Sequence, residues 1–137
     1  MEQPTTEEHL NLAQEARNAA ERAYCPFSQF PVGAALRTED GTVFTGANVE
    51  NASYGLSMCA ERVAILTAAA AGHRRVTALA VACVKGDPAK PATLTPCGAC
   101  RQVMTEFMDE TATVIIDGVG VCTLRDLLPL AFSLQGS

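Results

Sequence analysis

Val76-Thr77-Ala78-Leu79-Ala80-Val81-Ala82-Cys83-Val84 is almost continuously apolar. A strand with one wet face alternates apolar and polar side chains. A short run with no such alternation is a strand covered on both faces. Layers must therefore lie above and below it, and the flanking sequence supplies them. Upstream, Cys59 to Ala71 is an alanine-rich helix ended by Gly72 at a C-cap. Downstream, Lys85 to Thr95 is a loop with two prolines and a glycine. Cys97 to Met108 then reads as a second helix, Thr111 to Asp117 as a strand and Thr123 to Leu128 as a short helix. Nearer the N-terminus, Thr6 to Tyr24 carries Leu10, Ala13, Ala16, Ala20 and Ala23 on one helical face. Thr6 followed by Glu7 and Glu8 suits its start, and Pro26 stops it. Val32 to Arg37 and Thr42 to Val49 flank Glu39-Asp40-Gly41, a hairpin signal, and Asn51 to Ser57 is a polar loop. Helices alternating with strands after a hairpin predict an α/β fold, a mixed sheet with helices on both sides. The strand order is not readable. No repeat or linker interrupts the pattern, so residues 1–137 are expected to form a single domain.

Composition narrows the function. Apolar residues make up 48% of the 137 residues and charged residues only 18%, less charge than an average domain carries. Some of the surface is therefore expected to be buried against other subunits. The net charge is −5, and of ten Lys and Arg only Arg74 and Arg75 are adjacent. Such a chain lacks the clustered basic surface that a nucleic-acid partner requires. No run of eighteen apolar residues predicts a membrane span, and Met1 to Leu10 is polar and acidic, unlike a targeting signal. The expected location is cytoplasmic. In a reducing compartment, the six cysteines are read first as metal ligands rather than disulfides.

Three of them carry the argument. Cys97-Gly98-Ala99-Cys100, preceded by Pro96, opens a predicted helix, so both sulfurs fall on one side of a first turn. The unpartnered N–H groups of that turn can donate to thiolates. Alone, a C-x-x-C is ambiguous between a redox pair and half a zinc site. No second C-x-x-C exists to close a structural site. Cys59 instead opens another helix in Cys59-Ala60-Glu61. Three ligands leave the fourth tetrahedral position to water, which is the catalytic arrangement. First-turn side chains lean toward the helix N-terminus, so Glu61 could reach that water while Cys59 holds the metal. Cys25, Cys83 and Cys122 are read as ordinary buried thiols. His9 and His73 are read as solvent-facing.

A ligand-x-Glu followed by Pro-Cys-x-x-Cys is similar to the signature of zinc deaminases acting on cytosine and adenine, here in an all-cysteine form. The likeness extends to Phe30-Pro31-Val32-Gly33-Ala34-Ala35-Leu36, Asn48-Val49-Glu50-Asn51-Ala52-Ser53-Tyr54-Gly55, Cys59-Ala60-Glu61-Arg62 and Pro96-Cys97-Gly98-Ala99-Cys100-Arg101-Gln102. With Asp126-Leu127-Leu128-Pro129 and Phe132, these stretches resemble the small tetrameric cytidine deaminases. Asp109 to Cys122 carries no matching motif.

The resemblance implies a three-layer α/β/α sandwich with a mixed, about five-stranded sheet. It implies one Zn²⁺ per subunit and a homotetramer with shared active sites. It also implies hydrolysis of cytidine and 2′-deoxycytidine to the uridines and ammonia. Glu61 would move the protons, and Arg62 would bond the ligand sulfurs. Asn48 and Glu50 would hold the ribose, and Phe30 would pack on the pyrimidine. The Ala60 N–H would contact the base and the Cys97 carbonyl the amine, while Tyr54 and Phe132 would line a neighbour's pocket. Three other readings compete, of which a polynucleotide or tRNA deaminase is disfavoured by the chain's acidity and small size. A deaminase of a cytosine-containing antibiotic shares the zinc signature, although the Asn48 to Asn51 run resembles the nucleoside enzymes more closely. A metal-binding scaffold without activity would have no use for the carboxylate of Glu61.

Overall fold

Thr6 caps the first helix, its Oγ1 accepting from the backbone N–H of His9 at 3.1 Å. In the computed structural model, which describes residues 1–4 and 6–134, this helix, α1, spans Glu7–Ala19. The strands β1 (Val32–Thr38) and β2 (Val43–Ala47) form the expected hairpin. They are followed by α2 (Ala60–Ala70), β3 (Val76–Cys83), α3 (Gly98–Phe107), β4 (Met108–Ile116), β5 (Gly120–Thr123) and α4 (Leu124–Leu127). The five strands form one mixed sheet in the order β2-β1-β3-β4-β5. Only β3 and β4, joined through α3, run parallel.

The apolar run at Val76 becomes the central strand, and its alternation is one of size rather than polarity. Leu79 and Val81 point to the core beneath α2, α3 and α4. Ala80 and Ala82 point to the opposite core beneath α1. β1 repeats the rule, with Ala34 and Leu36 on the first face and Ala35 on the second. The α1 face is lined mainly by alanine, so the helix sits close. A Cβ at Gly33 would lie 1.9 Å from the carbonyl oxygen of Ala16. The result is the three-layer α/β/α arrangement. Among the described residues no helix is long and apolar enough to cross a membrane.

Several local expectations are corrected. The buried side of α1 is Leu12, Ala13, Ala16 and Ala19, whereas Leu10 is exposed. Its apolar stripe is carried by alanines, so sequence alone left the stripe's centre ambiguous. β4 begins at Met108, directly after α3, because Met108 already pairs with Val76. β5 is absent from the residue-by-residue reading because four residues are too short to show a period. A turn with Gly118 at φ 81° folds it back on β4. Cys25 and Cys83 are half-buried rather than buried, and His73 is half-buried against the Phe44 ring, at 5.1 Å.

Candidate metal centre and active site

Cys59 and Cys97 do not lie inside their helices but immediately before them, in extended backbone, as the residues that cap α2 and α3. Neither sulfur caps a backbone N–H at the start of its own helix. Cys100 is fully buried in the first turn of α3. The three Sγ atoms lie within 4.8 Å of one another, and Cys97 and Cys100 are 3.5 Å apart. A tetrahedral zinc ion with Zn–S bonds of about 2.3 Å places its sulfurs about 3.8 Å apart. The trio fits that ion. The open ends of two helices add positive potential where thiolate charge collects.

Electrostatics agree with a ligand set. The thiol of Cys100 and the guanidinium of Arg62 hydrogen-bond to Cys59 and bring its pKa down to about 5. Donating that bond, together with burial, pushes Cys100 up. The sulfurs are thus sharing protons that a divalent ion would displace. Arg62 Nη2 donates to Cys59 Sγ at 3.5 Å, and its buried Nε has no partner among the described residues. Glu61, only 4% exposed, is pushed up to about 7 by burial, with the Cys59 charge adding to the effect. A carboxyl so placed exchanges a proton near neutrality.

Three extended stretches meet beside this corner. Val49 and Met58 exchange backbone hydrogen bonds at 2.9 and 2.8 Å, and Tyr24 bonds Asn48 and Glu50 at 2.9 and 2.8 Å. Met58 precedes ligand Cys59, so the Asn48–Glu50 segment is laced directly to the metal corner. Asn48 clamps the backbone on either side of Pro31, donating to Phe30 O at 3.0 Å and accepting from Val32 N at 2.9 Å. Glu50 Oε1 accepts from the N–H groups of Phe27 and Ser28, and Oε2 accepts from the Ser28 hydroxyl. These bonds, that of the hydroxyl foremost, lower its pKa. Ala60 is fully buried at the first position of α2, and Phe30 is half-buried. Tyr54 is 75% exposed, with its ring edge-on to Phe27 at 5.9 Å. Phe132 is also exposed, and its carbonyl accepts from Gln102 on α3.

Sequence reasoning missed three neighbours. Arg101 ties the ligand loop to α4, donating to Pro96 O at 2.7 Å, Leu127 O at 2.6 Å and Thr95 Oγ1 at 3.1 Å. Its place directly after the C-x-x-C was the available signal. Cys83 lies close enough to Glu61 to feel its charge. Burial chiefly, and that charge, raise its pKa to about 11, so it remains a thiol. Ser28 carried no signal. A groove of about 1250 Å³ runs past the far ends of α2 and α3, lined by His73, Phe107 and Phe132 among others. Its lining includes none of the three ligands. Two of its cations are spent on acids, Arg75 on Asp109 and Arg125 on Glu110.

Three clustered thiols at two helix starts, with one buried carboxyl beside them, define a zinc site of the hydrolytic kind. Residues 6–116 match the cytidine and deoxycytidylate deaminase zinc-binding region, and the chain belongs to that family. A cytidine deaminase of Halalkalibacterium halodurans is 46% identical over 128 residues, covering 90% of this chain and 93% of that one. One of Mycobacterium tuberculosis is 46% identical over 120 residues, covering 88% and 86%. Among solved structures, the cytidine deaminase of Burkholderia pseudomallei superposes with a TM-score of 0.80 at 48% identity, covering 93% of this chain and all of that one. The crystal structure of the Mycobacterium tuberculosis enzyme gives 0.82 at 41%, covering 95% and 100%.

Proposed function

We propose that this chain hydrolyses cytidine and 2′-deoxycytidine to uridine and 2′-deoxyuridine, releasing ammonia. The observation that carries the reading is Glu61, a buried carboxyl in the first turn of α2 beside three sulfurs clustered within 4.8 Å of one another. Cys59, Cys97 and Cys100 hold one Zn²⁺ per subunit. When bound, the ion acidifies a water and so supplies the nucleophile. Glu61 would accept the first proton of that water and deliver it to N3 of the ring, where it stays in the product, and would then pass the second proton, released as the C4 carbonyl forms, to the departing amine. Three thiolates leave the centre with a net charge of −1, and Arg62 on Cys59 offsets it. The N–H of Ala60, at the open end of α2, meets the base, and the Cys97 carbonyl meets the amine. Phe30 packs on the pyrimidine, while Asn48 and Glu50 hold ribose hydroxyls.

The 137 residues act as a single domain within a cytoplasmic homotetramer, with no nucleic-acid partner. Support for assembly comes from the apolar side chains left in water around the rim, Tyr24, Phe27, Val49, Tyr54 and Leu56. Phe27 touches Tyr54 and Tyr24 pairs with Val49, and exposed apolar side chains grouped in this way suit an interface. In the tetramer, Tyr54 and Phe132 line a neighbour's site. Ultraviolet absorbance during incubation with cytidine tests the activity, and sedimentation tests the assembly. Turnover that disappears with a chelator and returns with Zn²⁺ supports the reading. A fully zinc-loaded protein that leaves cytidine untouched overturns it.

A further inference from the structure

We propose that Ser28 is a positioning residue that locks Glu50 and Phe30 into one unit, so that a correctly held sugar also places the ring beneath the base. This inference rests on the sugar-binding role proposed for Glu50 and adds a cause for its geometry. The Ser28 hydroxyl is used in both directions. It donates to Glu50 Oε2 and accepts from the Phe30 N–H at 3.1 Å. The backbone N–H groups of Phe27 and Ser28 add 3.0 and 3.1 Å bonds to Glu50 Oε1. An ionised carboxylate offers about four acceptor sites. Three are filled from within the chain, and the one left, on Oε2, accepts a single hydroxyl.

The other side of Phe30 is pinned as well, because its carbonyl accepts from Asn48 Nδ2. Both backbone polar groups of Phe30 are therefore held by side chains, one from the Glu50 unit and one from Asn48. Gln29, between Ser28 and Phe30, sits at φ 54°, a left-handed conformation that a side chain rarely adopts unprompted. Its N–H closes on Cys25 O at 2.9 Å. Without the Ser28 hydroxyl the carboxylate would be held at Oε1 alone, and Oε2, the oxygen with the open acceptor site, would lose its bond within the chain. Fixing it before the substrate arrives removes an ordering cost that binding would otherwise carry.

Steady-state kinetics on zinc-loaded Ser28→Ala, Ser28→Thr and Glu50→Ala enzymes, with cytidine and with 2′,3′-dideoxycytidine, test this. Removing one hydrogen bond to a charged group predicts a KM for cytidine raised about tenfold in Ser28→Ala. kcat should stay within about twofold, because the hydroxyl acts in binding rather than in the chemical step. Dideoxycytidine, with no ring hydroxyl to present, should show a much smaller rise, from the loss of the Ser28–Phe30 bond alone. Ser28→Thr, which keeps the hydroxyl, should restore the cytidine KM. Ser28→Ala added to Glu50→Ala should raise the cytidine KM far less than it does in the wild-type background. If Glu50→Ala raises the cytidine KM while Ser28→Ala does not, Ser28 has no positioning role and the reading of Glu50 stands. If Glu50→Ala itself leaves both substrates unaffected, the sugar-binding reading fails and this inference fails with it. A rise of equal size for both substrates in Ser28→Ala would show general loosening of the loop and also overturn it.

Discussion

Glu50 and Glu61 lie on either side of the Met58–Cys59 segment, and their surroundings give them opposite characters. Glu61 is enclosed by the first turn of α2 and the core, and burial pushes its pKa up to about 7. Glu50 sits on the rim, where the Ser28 hydroxyl and two backbone N–H groups press its pKa below the usual carboxylate value. In the metal-free protein one carboxyl keeps its proton to about pH 7, whereas the other is held as an ionised acceptor. Residue type does not divide the labour; environment does. The same contrast separates the two regions at large, a metal corner built on two helix starts, where Cys100 and Glu61 are buried, and a rim built from loops.

The largest effect that could break the contrast is expected from Glu61→Gln. It should retain one zinc per chain and lose about 10³- to 10⁴-fold in kcat, since an amide cannot carry the proton. A zinc-loaded Glu61→Gln protein with ordinary kcat would remove Glu61 from the reaction. Next comes pH in the metal-free protein. The unfolded chain releases the Glu61 proton near 4.5, whereas the folded chain keeps it until about 7. Between those values the folded state binds more protons, so stability should fall as pH rises, by about 3 kcal/mol in total. The depressed Cys59 thiol works the other way, gaining stability as pH rises above about 5. Denaturant melts of wild type and Glu61→Gln isolate the carboxyl by difference. Identical pH dependence in the two proteins would mean that Glu61 is not held protonated.

The metal corner was the more legible of the two regions. Three cysteines, a glutamate and a proline at fixed spacing describe local backbone geometry, and two helix starts convert that spacing into proximity. The central strand was legible for a related reason, since an apolar run of that length has few other ways to be buried. β5 was not, because its four residues gain their structure from pairing with β4 rather than from any pattern of their own. The exposed Leu10 shows the limit of periodicity in a helix whose buried stripe is mostly alanine. At the rim, Asn48 and Glu50 were named through resemblance alone. Nothing local in the sequence announces that Ser28 and Tyr24 bond to them, because those pairings span more than twenty residues of chain.

Two glycines measure the difference in free volume directly. A Cβ at Gly46 would lie 2.5 Å from the backbone N of Ala64 and 2.8 Å from Ala60 O. These are backbone atoms of α2, so the helix that presents Cys59 and Glu61 must move. Gly46→Ala should cost about 1–3 kcal/mol in a denaturant melt and weaken zinc retention against a chelator. Gly55, in the turn at Tyr54–Leu56, has nothing within 4 Å of such a Cβ and no left-handed φ. Gly55→Ala should therefore leave stability within about 0.5 kcal/mol, or raise it slightly by restricting the unfolded chain. Its melt is the control that gives Gly46→Ala its meaning. Equal losses at both sites would show that the rim is packed as tightly as the metal corner, and the contrast between the regions would not hold. An unchanged melt joined to weaker assembly in sedimentation would instead locate Gly55 against a second copy of the chain.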